Sequence, residues 1–170
     1  VLYGDVPLLS FDTLNTLVAA LANNQLVLLS AKLKNPTGYG RIVRQEGKVQ
    51  RIVEQKDADD ETLAIREINS GILASNAAKL KHWLSQTNDS NAQQEYYLTD
   101  CIELAVNEKE NVEAIVCDNE EEVLGVNNKL HLAQAERIFQ SRIAEQLMDK
   151  GVTLNDPARI DVQVLEKNVS

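Results

Sequence analysis

The chain has 170 residues, 44% of them apolar and 25% charged, an ordinary globular composition and enough for one domain plus an appendage. Its 26 acids against 17 bases give a net charge of −9 with no basic run or stripe, which argues against a nucleic-acid or anionic-membrane partner, since both require a cationic face. No apolar run reaches the roughly 20 residues that a membrane-spanning helix needs, and Cys101 and Cys117 sit in no metal-binding or C-x-x-C spacing, so a reducing, cytoplasmic location is expected.

Val1-Leu2-Tyr3 reads as an apolar strand running into Gly4-Asp5-Val6-Pro7-Leu8. A strand this apolar is expected to be central, with neighbours on both sides, so the chain reads as a piece of a larger domain. Ser10 is expected to cap a helix whose Leu14, Val18 and Leu21 recur at helical spacing, ended by Asn23-Asn24. Leu26–Leu33 is a buried-strand run, and Asn35–Gly40 a loop. Arg41–Arg44 and Val49–Glu54, joined by Glu46-Gly47, form a hairpin. A strand at Glu67–Ala74, helices at Ala77–Leu84 and Tyr96–Val106, and a strand at Val112–Cys117 follow. The alternation predicts an α/β fold: a mixed, mostly parallel sheet with helices on both faces and an antiparallel insertion at the hairpin. From Asn127 to about Lys150 one long helix is expected, with Leu132, Ala135, Phe139, Ile143 and Leu147 as its buried stripe and Gly151 ending it.

Several polar residues fall at strand ends, where an open α/β sheet gathers ligands. Gly4 permits close backbone approach and Asp5 offers a hard oxygen to a cation, although an Asp capping the turn before Pro7 is the other reading. Gly40 can donate its amide with no side chain in the way. Glu54 ends the second hairpin strand. Asn69 lies in an apolar strand, where its amide needs a partner, either a ligand hydroxyl or a neighbouring backbone group. Asn127 is a neutral oxygen ligand or a helix N-cap. Asp57-Ala58-Asp59 has the D-x-D pattern of metal-dependent glycosyltransferases within an acidic, solvated run, and Asp118–Glu122 reads as an exposed turn. His82 and His131 have no partner at metal or triad spacing.

Taken in order, Leu-Tyr-Gly-Asp-Val-Pro-Leu at 2–8, Asn-Pro-Thr-Gly-Tyr-Gly-Arg-Ile at 35–42, Ile-Val-Glu-Gln-Lys-Asp-Ala at 52–58, Glu-Ile-Asn-Ser-Gly-Ile at 67–72, Asn-Ala-Gln-Gln-Glu-Tyr-Tyr-Leu-Thr-Asp at 91–100, Gly-Val-Asn-Asn at 125–128 and Asp-Pro-Ala-Arg at 156–159 form one pattern. It resembles the bacterial bifunctional UDP-N-acetylglucosamine pyrophosphorylase / glucosamine-1-phosphate N-acetyltransferase family, over residues 1 to about 161. The resemblance implies a Rossmann-like uridylyltransferase domain, a linker helix, and a left-handed β-helix that trimerises and acetylates. Residues 1–129 would be the C-terminal half of the first domain, 130–150 the linker helix, and 151–170 the start of the acetyltransferase region, whose hexapeptide repeats are absent from this sequence. The parent would transfer UMP from UTP to N-acetylglucosamine 1-phosphate for cell-envelope precursors. By the same resemblance Asp5 and Asn127 would hold Mg²⁺, Tyr3 and Gly4 would line that pocket, and Gly40, Glu54 and Asn69 would contact the sugar. Tyr97, Thr99 and Asp100 would line the sugar-phosphate side.

The sequence departs from the family at several points. The glycine-rich loop that cradles the triphosphate is not in it, nor are the residues that read uracil, so the chain alone is expected to be inactive. Gln94 replaces a usual Gly, Leu124 a usual acid and Lys129 a usual Arg, and Val162–Ser170 no longer follows the family. A sugar-nucleotide-dependent glycosyltransferase and a non-catalytic fragment are the rival readings.

Overall fold

Ser10 begins the first helix, α1 (Phe11–Ala20), by accepting the Thr13 N–H at 3.1 Å, one of the donors that a first helical turn leaves without a partner. Asp59 does the same for α2 (Asp60–Leu63), a turn not expected from the sequence, and Asn76 for α3 (Ala77–Leu84). α4 (Asp100–Asn107) starts four residues later than its periodicity suggested, because Tyr96–Thr99 stay in the preceding loop and turn. The computed structural model describes residues 1–162; the expected end of the acetyltransferase start region, beyond 162, lies outside the described residues.

Five strands, β1 (Leu26–Lys32), β2 (Arg41–Gln45), β3 (Lys48–Val53), β4 (Glu67–Ser75) and β5 (Val112–Val116), form one sheet in the order β3-β2-β4-β1-β5. The fold is the expected mixed α/β, consistent with part of a Rossmann-like domain, but its sheet is mostly antiparallel rather than mostly parallel. Among the described residues only β1 and β5 pair in parallel. A short turn at Glu46 and Gly47, with φ of 50° and 81°, reverses β2 directly into β3, and β4 returns beside β1 in the opposite sense. The connection carrying α3 and α4 takes the chain from β4 past β1 to the far edge, where β5 pairs in the sense of β1.

β1 is buried from Leu26 to Ala31. Leu26 and Leu28 pack with Ile42, Ile52, Leu73, Trp83 and Ile102. Cys101 sits in this core as a small hydrophobe, and burial pushes its thiol up to about 11. Across the sheet Arg44 on β2 makes a two-pronged ion pair with Glu67 on β4, at 2.9 and 2.7 Å, and Ser30 on β1 donates to the same carboxylate at 2.8 Å. Burial pushes the Glu67 carboxyl up, but these hydrogen bonds outweigh it and hold the group below the usual carboxylate range.

Val1–Tyr3 is not the central strand expected. It is exposed, between 44% and 56% by residue, and Val1 hydrogen-bonds to the sheet, its N-terminus donating to the Leu73 carbonyl and its carbonyl accepting the Leu73 N–H. β2 meets β4 only at Ile68, which leaves this second edge of β4 open for Val1. Tyr3 then lies against Gly71: a Cβ there would fall 2.3 Å from the Tyr3 ring, and the φ of +82° also requires glycine.

The chain divides into two compact units, one of Val1–Gly4 with Leu9–Val123, the other of Asp5–Leu8 with the residues from Leu124. The second is built on the long helix α5 (Lys129–Asp149), capped by Asn128, whose Oδ1 accepts the His131 N–H at 2.9 Å. Its buried positions are Ala135, Gln140 and Ala144, while Leu132 and Phe139 of the expected stripe are exposed. Polar contacts add to that covering: Gln140 exchanges hydrogen bonds with the Val162 backbone, and Arg142 donates to the Leu8 carbonyl at 2.9 Å.

Candidate functional site

The hairpin delivers Gly40 and Glu54 to the same end of the sheet, because β2 begins just after the first and β3 ends just before the second. A Cβ on Gly40 would lie 2.9 Å from Ile52 Cγ2 and 3.2 Å from both carboxylate oxygens of Glu54, so only glycine fits and its backbone faces that carboxylate. Asn69 joins them: its N–H donates to the Gly40 carbonyl at 2.9 Å. Three residues far apart in sequence are thereby held together by one loop residue and two strands.

Immediately after Asn69 the β1–β4 register shifts, a bulge in which Ser70 Oγ donates to the Leu29 carbonyl at 2.7 Å and the Gly71 N–H to Asn69 Oδ1 at 3.1 Å. Bulges re-aim side chains beside sites. The backbone partner weighed for Asn69 is therefore real, but it takes the oxygen alone; among the described residues the Asn69 Nδ2 and the Gly40 N–H have no hydrogen-bond partner. Glu54 accepts Thr99 Oγ1 at 3.1 Å. Burial pushes the Glu54 carboxyl up, Asp57 and Asp100 push the same way, and the Thr99 bond only partly offsets them. Asp100 is raised as well, chiefly by burial. A concavity of about 270 Å³ opens here, lined by Glu54, Asp57, Tyr97 and Asp100 among others. Of the three residues Glu54 alone lines this concavity; together with the donors of the hydrogen-bonded pair Gly40 and Asn69, its carboxylate suits a neutral ligand rich in hydroxyl and amide groups.

Asp5 and Asn127 belong to the second unit. The Val126 N–H donates to the Asp5 carbonyl at 2.7 Å, which seats Asp5 against the residue next to Asn127. Both are exposed. The capping reading for Asn127 is corrected: Asn128 caps α5, and the Asn127 N–H instead meets His131 Nδ1 at 3.4 Å, so its side chain carries no cap bond. One carboxylate and one neutral amide, both solvent-facing hard-oxygen donors, fit Mg²⁺, which takes few protein ligands and completes its shell with phosphate and water. Among the described residues no group of three or more His, Cys, Asp or Glu lies together. In the first unit, Gly4 borders open space.

The weaker motifs have structural work. Asp59 caps α2, and its hydrogen bonds with Thr62 hold it below the usual range; Asp57 accepts the Ala92 N–H at 2.8 Å and the Tyr97 hydroxyl at 3.3 Å. Glu122 of the acidic turn is half-buried and accepts the Ser10 N–H at 2.9 Å. His82 does find a partner, Glu108 at 2.8 Å, which also takes the Trp83 indole N–H. Gln94, which by the resemblance replaces a usual Gly, adopts a φ of +55°, a conformation glycine takes freely. Sequence reasoning also did not single out Arg41, a buried charge between Gly-Tyr-Gly and Ile-Val at the start of β2.

No family model matches the chain. Among curated proteins it is 54% identical over 164 residues to the bifunctional protein GlmU of Azoarcus sp. (strain BH72) and to that of Ralstonia pickettii (strain 12J), in each case over 96% of this chain. It is 54% identical over 162 residues to that of Idiomarina loihiensis. The chain spans 36% of the length of each of these relatives.

Proposed function

We propose that this chain, which belongs to the GlmU family along 96% of its length, carries the sugar and metal half of the site of a cytoplasmic enzyme that transfers UMP from UTP to N-acetylglucosamine 1-phosphate, giving UDP-N-acetylglucosamine and pyrophosphate. The convergence of Gly40, Glu54 and Asn69 is the observation that carries the reading. The Gly40 N–H and the Asn69 amide offer donors, and Glu54 an acceptor, to a sugar's hydroxyl and acetamido groups. Thr99 already orients the Glu54 carboxylate, and Tyr97 and Asp100 border the same concavity.

Asp5 and Asn127 would hold Mg²⁺, and Tyr3 and Gly4 would border the phosphates. When bound, the ion supplies charge neutralisation on the phosphates. Attack of the sugar phosphate on the α-phosphorus needs alignment more than a proton-transfer group, and this part falls to the residues that fix the sugar. Residues 1–129 would form the second half of the uridylyltransferase domain, 130–150 the linker helix and 151–170 the entrance to an acetyltransferase region through which the whole protein would trimerise.

The test is pyrophosphate release from UTP and N-acetylglucosamine 1-phosphate with Mg²⁺. The whole enzyme should release it, and this chain alone should not, because the family's glycine-rich triphosphate loop is not in its sequence. Turnover scaling with the purified chain would overturn the division of the site. Release of UDP from a nucleotide sugar by the whole enzyme, without uridylyl transfer, would favour the glycosyltransferase reading.

A further inference from the structure

We infer that Arg41 is a positioning residue, a guanidinium that fixes Gly40, Glu54 and Asn69 relative to one another without touching substrate; the inference rests on the sugar site proposed above. Arg41 is 2% exposed. An arginine so buried ordinarily faces a carboxylate. Among the described residues Arg41 makes no ion pair with one: Nη1 donates to the Tyr39 carbonyl, Nη2 to Gln55 Oε1 at 3.4 Å, and Nε has no hydrogen-bond partner. A methionine would fill this volume without the cost of a buried charge, so packing alone does not account for the residue.

Its neighbours account for it. Tyr39 precedes Gly40, and Gln55 follows Glu54, so one side chain grips the flank of each. Gln55 Oε1 also accepts the Gly38 N–H, closing the loop onto the end of the hairpin. The backbone of Arg41 reaches the third residue: it pairs with Val53 on one side and Ile68 on the other, the only residue of β2 paired with β4 among the described residues, and Ile68 precedes Asn69. Every direction from Arg41 ends one residue away from a sugar-facing group. The Tyr39–Gly40 peptide is trans, so the carbonyl held by Arg41 points away from the Gly40 N–H, and the cation polarises that peptide and strengthens its donor.

The experiment compares Arg41→Lys, Gln55→Leu and Glu54→Gln in the whole enzyme, reading the KM for N-acetylglucosamine 1-phosphate against the KM for UTP, with a thermal melt of each. Lysine cannot hold both acceptors of the fork, so Arg41→Lys should raise the sugar-phosphate KM about ten-fold with the UTP KM within about two-fold of the parent. Gln55→Leu should show the same split at roughly three-fold, since it removes one of the two grips. A folded Arg41→Lys with an unchanged sugar-phosphate KM, or with both KM values raised alike, overturns the proposal. If Arg41→Lys shows no cooperative melt, Gln55→Leu decides, and the absence of a split there overturns it. Glu54→Gln separates the two failures: if it moves the sugar-phosphate KM and the Arg41 and Gln55 variants do not, only the positioning role falls, whereas if none of the three moves it the sugar site falls too.

Discussion

Gly40, Glu54 and Asn69 are fixed by the chain itself, through a strand pairing, a bulge and a close approach that only glycine allows, whereas Asp5 is tied by one backbone hydrogen bond to Val126, the residue before Asn127, and both Asp5 and Asn127 stay exposed. The difference matches what each would bind. A sugar is told from its relatives by donors and acceptors at set positions, which must be in place beforehand. An octahedral ion that brings its own water and phosphate ligands needs only a few oxygens free to settle around it. On the proposed reading one region would be a prebuilt surface and the other an incomplete shell.

Damage to the scaffold of the prebuilt region should have the largest effect. Arg44→Met leaves the nearly covered Glu67 carboxylate without its cation, and should cost about 3 kcal/mol at neutral pH, read as a lowered unfolding midpoint. Because the Glu67 pKa is held below its unfolded value of 4.5, its contribution is full above that value and is lost as pH falls through the lower folded one. The gap between parent and variant should therefore narrow below about pH 4.5, and a gap independent of pH would show that the ion pair does not hold β2 to β4.

Substitutions at the sugar-facing groups should act next. Glu54→Ala and Asn69→Ala should each weaken use of N-acetylglucosamine 1-phosphate by about 1–3 kcal/mol while leaving the UTP KM nearly unchanged. Ionised Glu54 is the stronger acceptor for a sugar donor, and its raised pKa means that sugar affinity should begin to fall at a higher pH than an ordinary glutamate would set. Equal losses for both substrates would point to a general folding defect. The smallest effect belongs to the other region: Asn128→Ala removes the cap of α5 beside Asn127 and should cost about 1 kcal/mol of stability with no change in sugar KM.

The local parts of this picture were legible in the sequence, and the long-range parts were not. Ser10 as a cap, the Glu46-Gly47 turn and the bounds of α3 follow from side-chain chemistry within a few residues. Strand sense does not: nothing in Glu67–Ser75 says that it returns antiparallel beside β1, and the alternating pattern suggested the opposite. The apolar stripe of α5 was legible in part: Ala135 is buried and Ile143 and Leu147 half-buried, whereas Leu132 and Phe139 are exposed and Gln140, outside the stripe, is covered. Of the candidate site, the residue types and their order carried the family resemblance, while the part played by Arg41 depends on neighbours from three strands and has no local sign.

The account's central claim, that the chain supplies the metal-binding pair as well as the sugar-facing set, is tested most directly by a double-mutant cycle of Asp5→Ala and Asn127→Ala in the whole enzyme across a Mg²⁺ titration. Asp5 carries the only formal charge of the pair, so its loss should lower kcat on the order of 10²–10³-fold and exceed that of Asn127. The double variant should be little worse than Asp5→Ala alone, and raised Mg²⁺ should partly rescue Asn127→Ala and hardly help Asp5→Ala. Fully additive losses with no dependence on Mg²⁺ would contradict the claim, because the two residues would then share no ion.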